Sequence, residues 1–168
     1  VDDLTVRPAT TADDAALRAL DATAWDPGTG FPSVQAQQRP TFFSADDDPA
    51  RTLVAERGGT LVGYVRTRPP TPLPENAHVW GIEGFAVLPA ERGRGTGAAL
   101  LEALARQAAA AGVRKLSLRV LSTNERAQRL YARAGYEVEG VLRGEFVVDG
   151  HVVDDVLMAR RVAGSDPA

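Results

Sequence analysis

"ERGRGTGAALLEAL", residues 91–104, is the stretch on which the fold of this chain turns. Three glycines, Gly93, Gly95 and Gly97, stand at alternate positions directly before an alanine–leucine run. Each costs backbone entropy that an ordinary loop avoids. The run from Thr96 to Ala111 has the composition of a strong helix, ended by Gly112. The stretch before it, "HVWGIEGFAVL" (78–88), reads as a strand closed by Pro89. The glycines therefore lie between a strand and a helix. Backbone N–H groups at a helix N-terminus are unpaired and partly positive, and glycines let an anion approach them closely. Arg92 and Arg94 add charge beside them. The plainer alternative is a tight β-to-α turn whose glycines serve packing alone.

Working outward, "LTVRPAT" predicts a strand over 4–8, followed by a helix over 11–22 with Thr11 as N-cap. A second helix is expected over 33–44. "RTLVAERGGTLVGYVRTR" is a hairpin about Gly58-Gly59, a dipeptide that tolerates positive φ at both positions. The prolines of "PPTPLPEN" forbid regular structure. Beyond the glycine helix, "RKLSLRVL" reads as a strand and "STNERAQRLYARAG" as a helix, with Ser122 and Glu125 at capping-box spacing. Ala127, Leu130, Tyr131 and Ala134 share one face of that helix, and Gly135 fits its end. "YEVEGVLRGEFVV", the turn "DG" and "HVVDDVLMARRV" form a closing hairpin. The elements predict one α/β domain over 1–162, a mixed sheet of about seven strands flanked by about four helices. Residues 163–168 are expected to be a disordered tail.

Composition narrows the chemistry. The chain has 168 residues, 44% of them hydrophobic, which suits one domain with a sizeable core. A formal net charge of -3 gives no basic excess for nucleic acid. With no cysteine, disulfides and thiolate catalysis are excluded. His78 and His151 lie far apart, without metal-ligand spacing, so no metal is expected. No apolar stretch reaches membrane-spanning length, and the expected placement is cytoplasmic.

Two phosphate motifs fail on inspection. "GRGTGA" matches G-x-G-x-x-A formally, but the acidic residue that a dinucleotide fingerprint requires about 20 positions later is missing from "KLSLRVL". A P-loop requires Gly-Lys-Ser/Thr, and here Ala98 follows the last glycine. A third pattern fits. Arg92, Gly95 and Gly97 make R-x-x-G-x-G after "GFAVLP", with Asn124 and then Tyr131 in "LYARAGYEVEG" downstream. In order and spacing this constellation closely resembles the GNAT superfamily of acetyl-CoA-dependent N-acetyltransferases, most strongly over residues 80–145. The resemblance implies a GNAT-like domain. It implies that the loop Arg92, Gly93, Arg94, Gly95, Thr96, Gly97 and Ala98 binds the pyrophosphate of coenzyme A. It implies that the backbone of Phe85, Ala86 and Val87 pairs with the pantetheine arm, that Asn124 hydrogen-bonds that arm, and that Tyr131 protonates the leaving thiolate. Some N-terminal acetyltransferases of the superfamily place a glutamate on the following strand; here Arg119 stands there.

Acetyl transfer to an amine also requires a neutral nucleophile, so a carboxylate must take the ammonium proton, directly or through water. Glu83 in "GIEGFAV" is the first candidate, sharing a face with Phe85 and Val87 if strict alternation holds. Its alternative role is an ion pair with a nearby arginine. A backbone N–H near Val87 is placed to polarise the thioester carbonyl. Tyr131 has an alternative role too, as a core aromatic. His78 at a strand start is a further proton relay candidate, and Trp25, Phe31, Phe42 and Phe43 are candidates to line an acceptor site. The expected activity is transfer of acetyl from acetyl-CoA to a primary amine of a small molecule or a peptide or protein N-terminus, by direct attack. The alternative is a non-catalytic acyl-CoA-binding module of the same fold. The closing hairpin is also a surface on which a homodimer could pair.

Overall fold

The computed structural model describes residues 3–25, 30–37 and 39–162; the expected tail lies outside them. The chain runs β1 (Leu4–Pro8), α1 (Asp14–Ala24), α2 (Pro32–Gln35), β2 (Thr52–Arg57), β3 (Thr60–Arg68), β4 (Val79–Val87), α3 (Thr96–Ala110), β5 (Lys115–Leu121), α4 (Glu125–Arg133), β6 (Glu137–Val148) and β7 (His151–Arg161). The seven strands form one sheet in the order β1-β2-β3-β4-β5-β7-β6. Only β4 and β5 run parallel, joined by α3 as the crossover. Gly58 and Gly59, both at positive φ, turn the β2–β3 hairpin as expected, and Asp149-Gly150 turns β6–β7 in the same way.

The two faces of the sheet carry separate cores. On one, α3 places Leu100, Leu101, Leu104, Ala105 and Ala108 against Leu53, Val65, Leu116 and Met158, with Tyr131 of α4 beside them. On the other, α1 buries Leu17, Leu20 and Ala24 against Val54, Tyr64, Ala86 and Phe42. Each such leucine contributes about 1.5–3 kcal/mol relative to exposure.

The second helix falls short of the sequence-based expectation. α2 is a single turn, Pro32–Gln35, not a helix over 33–44. Pro40 disfavours helical backbone before it, and the run "SVQAQQR" has no apolar stripe to bury. The segment instead docks through Asp14, whose Oδ1 accepts the N–H groups of Phe42 and Phe43, both at 2.9 Å.

The β3–β4 register carries the feature that matters most for function. Pairing passes from Arg66↔Gly84 to Thr67↔Ile82, so Glu83 is an extra residue in β4, a β-bulge. Strict alternation therefore breaks, and Ile82, Phe85 and Val87 pack on the α3 core instead of sharing a face with Glu83. On its other edge β4 pairs with β5 only from Val79↔Lys115 to Ile82↔Leu118. From Glu83 onward the two strands part.

Arg7 on β1 makes a bidentate contact with Asp13 before α1, two bonds of 2.9 Å. That contact, aided by the N–H of Thr10, lowers the Asp13 carboxyl to about 2. Because the folded value is depressed, the stabilisation is present above the ordinary carboxylate range and is lost as pH falls toward 2. Asp13→Asn is expected to lower stability at pH 7 by about 1 kcal/mol, since Arg7 is partly solvated. Chemical denaturation at several pH values should show a flatter acid arm between about pH 4 and 2 in the variant.

Candidate active site

The parted strands open onto a cavity of about 1640 Å³ that reaches both faces of the sheet. The glycine loop, Phe85 to Val87, Asn124 and Tyr131 line it, and so do Asp21, Trp25, Phe31, Phe42 and Tyr64 from the α1 side. Most of the residues singled out in the sequence are thus brought together; Phe43, His78 and Arg94 of the glycine loop do not line the cavity.

The glycines divide the labour. Gly93 and Gly95 have φ of +76° and +84°, and Gly95 is the left-handed N-cap of α3. A Cβ at either would meet nothing within 4 Å, so the loop backbone is open toward the cavity. Gly97 does the other job: a Cβ there would lie 3.0 Å from Leu130 Cδ2 and 3.3 Å from Phe85 Cζ. The packing role therefore holds for Gly97, while Gly93 and Gly95 shape the mouth. Thr96, 1% exposed at the first position of α3, has a buried Oγ1 with no hydrogen-bond partner among the described residues. An open glycine backbone, a helix N-terminus and an orphaned hydroxyl on one cavity wall suit an anionic phosphate group.

The two loop arginines are more occupied than the sequence suggests. Arg92 donates to the carbonyl of Ala24 at 2.6 Å, clamping the end of α1. Arg94 donates to Glu91 Oε1 at 2.6 Å, and Arg57 donates to Glu91 Oε2 at 2.9 Å. Glu91, 9% exposed, escaped the sequence reading; it ties the loop to β2.

Asn124, not Ser122, caps α4: its side chain accepts from the N–H of Ala127 at 3.2 Å. Tyr131 sits on the buried face of α4, 7% exposed, with edge contacts to Phe85 and a tilted contact to Tyr136. Burial pushes its phenol well above the usual value, so it stays protonated through the neutral range. Glu83 is half-exposed and paired with Arg68 at 3.1 Å. His78 lies at the start of β4, where its carbonyl accepts from Arg114 and Lys115, and His151 is exposed at the β6–β7 turn.

Two arrangements were not foreseen. Asp155 on β7, 2% exposed, pairs with Arg119 at 2.5 Å, and both line the cavity. On the α1 side, Asp21 Oδ1 accepts from Tyr64 Oη at 2.5 Å and from Trp25 Nε1 at 3.0 Å. Tyr64 lies across Gly84, where a Cβ would meet its Cε2 at 3.0 Å. Asp21 carried a signal in the sequence: it stands at i+4 from Leu17 and i−3 from Ala24, an acid on the apolar face of a helix. Among the described residues no cluster of acidic, histidine or cysteine side chains could hold a metal, and no helix is long and apolar enough to cross a membrane.

This chain belongs to the acetyltransferase (GNAT) family, whose model matches residues 16–136. It is 37% identical over 121 residues to a mycothiol acetyltransferase of Acidimicrobium ferrooxidans, covering 70% of this chain and 37% of that protein. It is 34% identical over 111 residues to an L-2,4-diaminobutyric acid acetyltransferase of Nocardia farcinica, covering 65% of this chain and 55% of that protein. The chain thus spans only about a third to about half of these two curated relatives. A Salmonella typhimurium protein solved with its cofactor acetyl-CoA shares the fold, with a TM-score of 0.78 at 20% identity over 98% of this chain and 97% of that one.

Two substitutions test this geometry. A β-branched residue at Gly95 would strain a left-handed backbone by about 1–2 kcal/mol, whereas asparagine tolerates that conformation. Gly95→Asn is expected to keep its melting temperature within a few degrees while weakening acetyl-CoA binding at least 10-fold by calorimetry, roughly 1.4 kcal/mol. Glu83→Gln breaks the pair with Arg68; the variant is expected to melt earlier and to show a pH–rate profile parallel to wild type. A profile that instead recovers toward the amine's own pKa would return Glu83 to proton transfer.

Proposed function

We propose that this chain transfers an acetyl group from acetyl-CoA to the primary amine of a small molecule or a peptide N-terminus, by direct attack. One observation carries the reading: a single cavity joins the phosphate-type cradle of the glycine loop to an aromatic wall through the gap between β4 and β5. Bound acetyl-CoA supplies an activated acyl group as a thioester. The open backbone of Gly93 to Ala98 and the Thr96 hydroxyl are suited to hold its diphosphate. The edge of β4 from Glu83 to Val87, without a strand partner on the β5 side, offers backbone N–H groups to the pantetheine arm and to the thioester carbonyl. Asn124, already oriented by its capping bond, stands beside that path.

Tyr131 is the general acid in this scheme. Its hydroxyl makes no hydrogen bond among the described residues and its side chain lines the cavity, so the proton is available to a leaving sulfur. Its raised pKa means that ionisation of Tyr131 does not limit the rate at neutral pH. The pair formed by Glu83 and Arg68 supports the ion-pair role for Glu83, and a small acceptor agrees with the names of the two curated relatives.

The test is release of coenzyme A thiol with acetyl-CoA and a panel of primary amines. Tyr131→Phe keeps the ring and its contacts, and its kcat is expected to fall about 100-fold with acetyl-CoA affinity nearly kept. An unchanged kcat would leave Tyr131 a core aromatic. Tight acetyl-CoA binding with no thiol released for any amine would favour a non-catalytic acyl-CoA-binding module.

A further inference from the structure

Five carboxylates line the cavity: Asp21, Glu83, Glu91, Glu102 and Asp155. Four are neutralised by the protein. Glu83 pairs with Arg68, Glu91 with Arg57 and Arg94, Glu102 with Arg160, and Asp155 with Arg119. Asp21 alone has no arginine or lysine at ion-pair distance among the described residues. Its two bonds, from Tyr64 Oη and Trp25 Nε1, both end on Oδ1. Two neutral donors thus fix the carboxylate by one oxygen and leave Oδ2 without a partner among those residues.

The surroundings explain what such a group can take. Trp25, Tyr64 and Phe42 form the apolar part of this wall. The nearby cations are engaged elsewhere or lie out of contact. Arg66 stacks on Phe42 at 4.9 Å and approaches Asp47, and Arg18 donates to the carbonyl of Pro40. Arg39 lines the cavity without contacting Asp21. A carboxylate held without a counter-ion in a partly desolvated wall is costly until a cation arrives. The acceptor of an acetyl group arrives as such a cation, an ammonium. Tyr64 also lies across Gly84, so Asp21 reaches to within one phenol ring of the β4 edge where the acyl group is proposed to sit.

We propose that Asp21 docks the ammonium of the acceptor and takes its proton. This rests on the transferase reading above and adds the residue that makes the nucleophile. One N–H bond of the ammonium breaks and an O–H bond forms on Asp21 Oδ2, leaving the nitrogen lone pair free. The amine nitrogen bonds to the acyl carbon as the carbon–sulfur bond breaks. Tyr131 gives its proton to the sulfur, and the second proton lost by nitrogen restores the phenol. The proton on Asp21 leaves to solvent, so amide, thiol and one proton balance the reactants.

The test uses Asp21→Asn, which keeps an acceptor for Tyr64 and Trp25 and removes the charge, beside Tyr64→Phe, which keeps the charge and removes one orienting bond. Binding of putrescine, benzylamine and an alanyl peptide to the protein with coenzyme A present is measured by calorimetry at pH 7. Thiol release is then followed across pH. In Asp21→Asn, amine binding is expected to fall at least 10-fold and kcat/KM about 100-fold at neutral pH. The rate deficit should narrow as pH approaches the amine's own pKa, with acetyl-CoA affinity unchanged. Tyr64→Phe should keep most amine binding. Equal losses in both variants would make Asp21 a support for Tyr64 and overturn the proposal, as would an asparagine variant that loses its fold. If none of the three amines binds wild type more tightly than Asp21→Asn, the proposal also fails, whether or not transfer occurs. Binding that depends on Asp21 without thiol release would refute the transferase reading while supporting the docking site.

Discussion

The parting of β4 from β5 is the constraint on which the rest of this structure depends. Strands paired as far as Ile82↔Leu118 would ordinarily continue, because each unpaired backbone group buried away from water costs about 1–3 kcal/mol. The extra residue Glu83 alters the course of β4 at that point. Gly84 follows it and lets Tyr64 lie flat on the strand, which a Cβ would prevent. The unpaired edge then faces an open cavity, where water or a bound molecule can meet it. One inserted residue and one missing side chain therefore turn the middle of a sheet into a site.

Electrostatics around that opening follow a consistent division. Glu91 is buried, and its two arginines brace the glycine loop against β2 from opposite carboxylate oxygens. Asp155 and Arg119 brace β7 against β5 in the same manner on the other flank. In these pairs the carboxylate is buried while Arg94 and Arg119 are about half exposed, so desolvation of the acid and solvent screening leave little net stability. Losing one partner is far more damaging than never having had the pair. Their effect is geometric: the Glu91 pairs hold the glycine loop against β2, and the Asp155–Arg119 pair reinforces a β5–β7 ladder that stays paired through Leu121↔Asp155.

Much of this was legible in the chain itself. The seven strands and the α3 and α4 helices follow from alternation, from Gly-Gly and Asp-Gly turns, and from alanine–leucine composition, all of which act locally. The glycine loop was legible because left-handed backbone before a helix leaves a mark in residue type. The short α2 was not, because Pro40 and a tertiary bond from Asp14 to Phe42 and Phe43 overrode a weak helical pattern. The cap of α4 moved from Ser122 to Asn124, two residues that fill the same role equally well. The alternation that linked Glu83 to Phe85 failed at a bulge, which depends on β3 and has no signature in β4 alone. The pairs of Glu91 with Arg57 and of Arg119 with Asp155 join segments distant in sequence, and no spacing rule links them.

The sheet also acts as a partition. α3 and α4 pack on one face and α1 on the other, each with its own core; Leu88 touches both cores, and the cavity joins the two sides through the gap. Such a layout makes the donor half and the acceptor half separately changeable. Substitutions of the cavity-lining side chains of α1 can reshape what enters the aromatic wall while keeping the bond from Arg92 to the backbone carbonyl of Ala24 that ties α1 to the glycine loop. The tight Gly97–Leu130 contact, by contrast, leaves the donor half little room to vary. A lineage built on this scaffold can change its clientele while keeping its currency, and an engineer seeking a new acceptor would begin at α1 and leave α3 untouched.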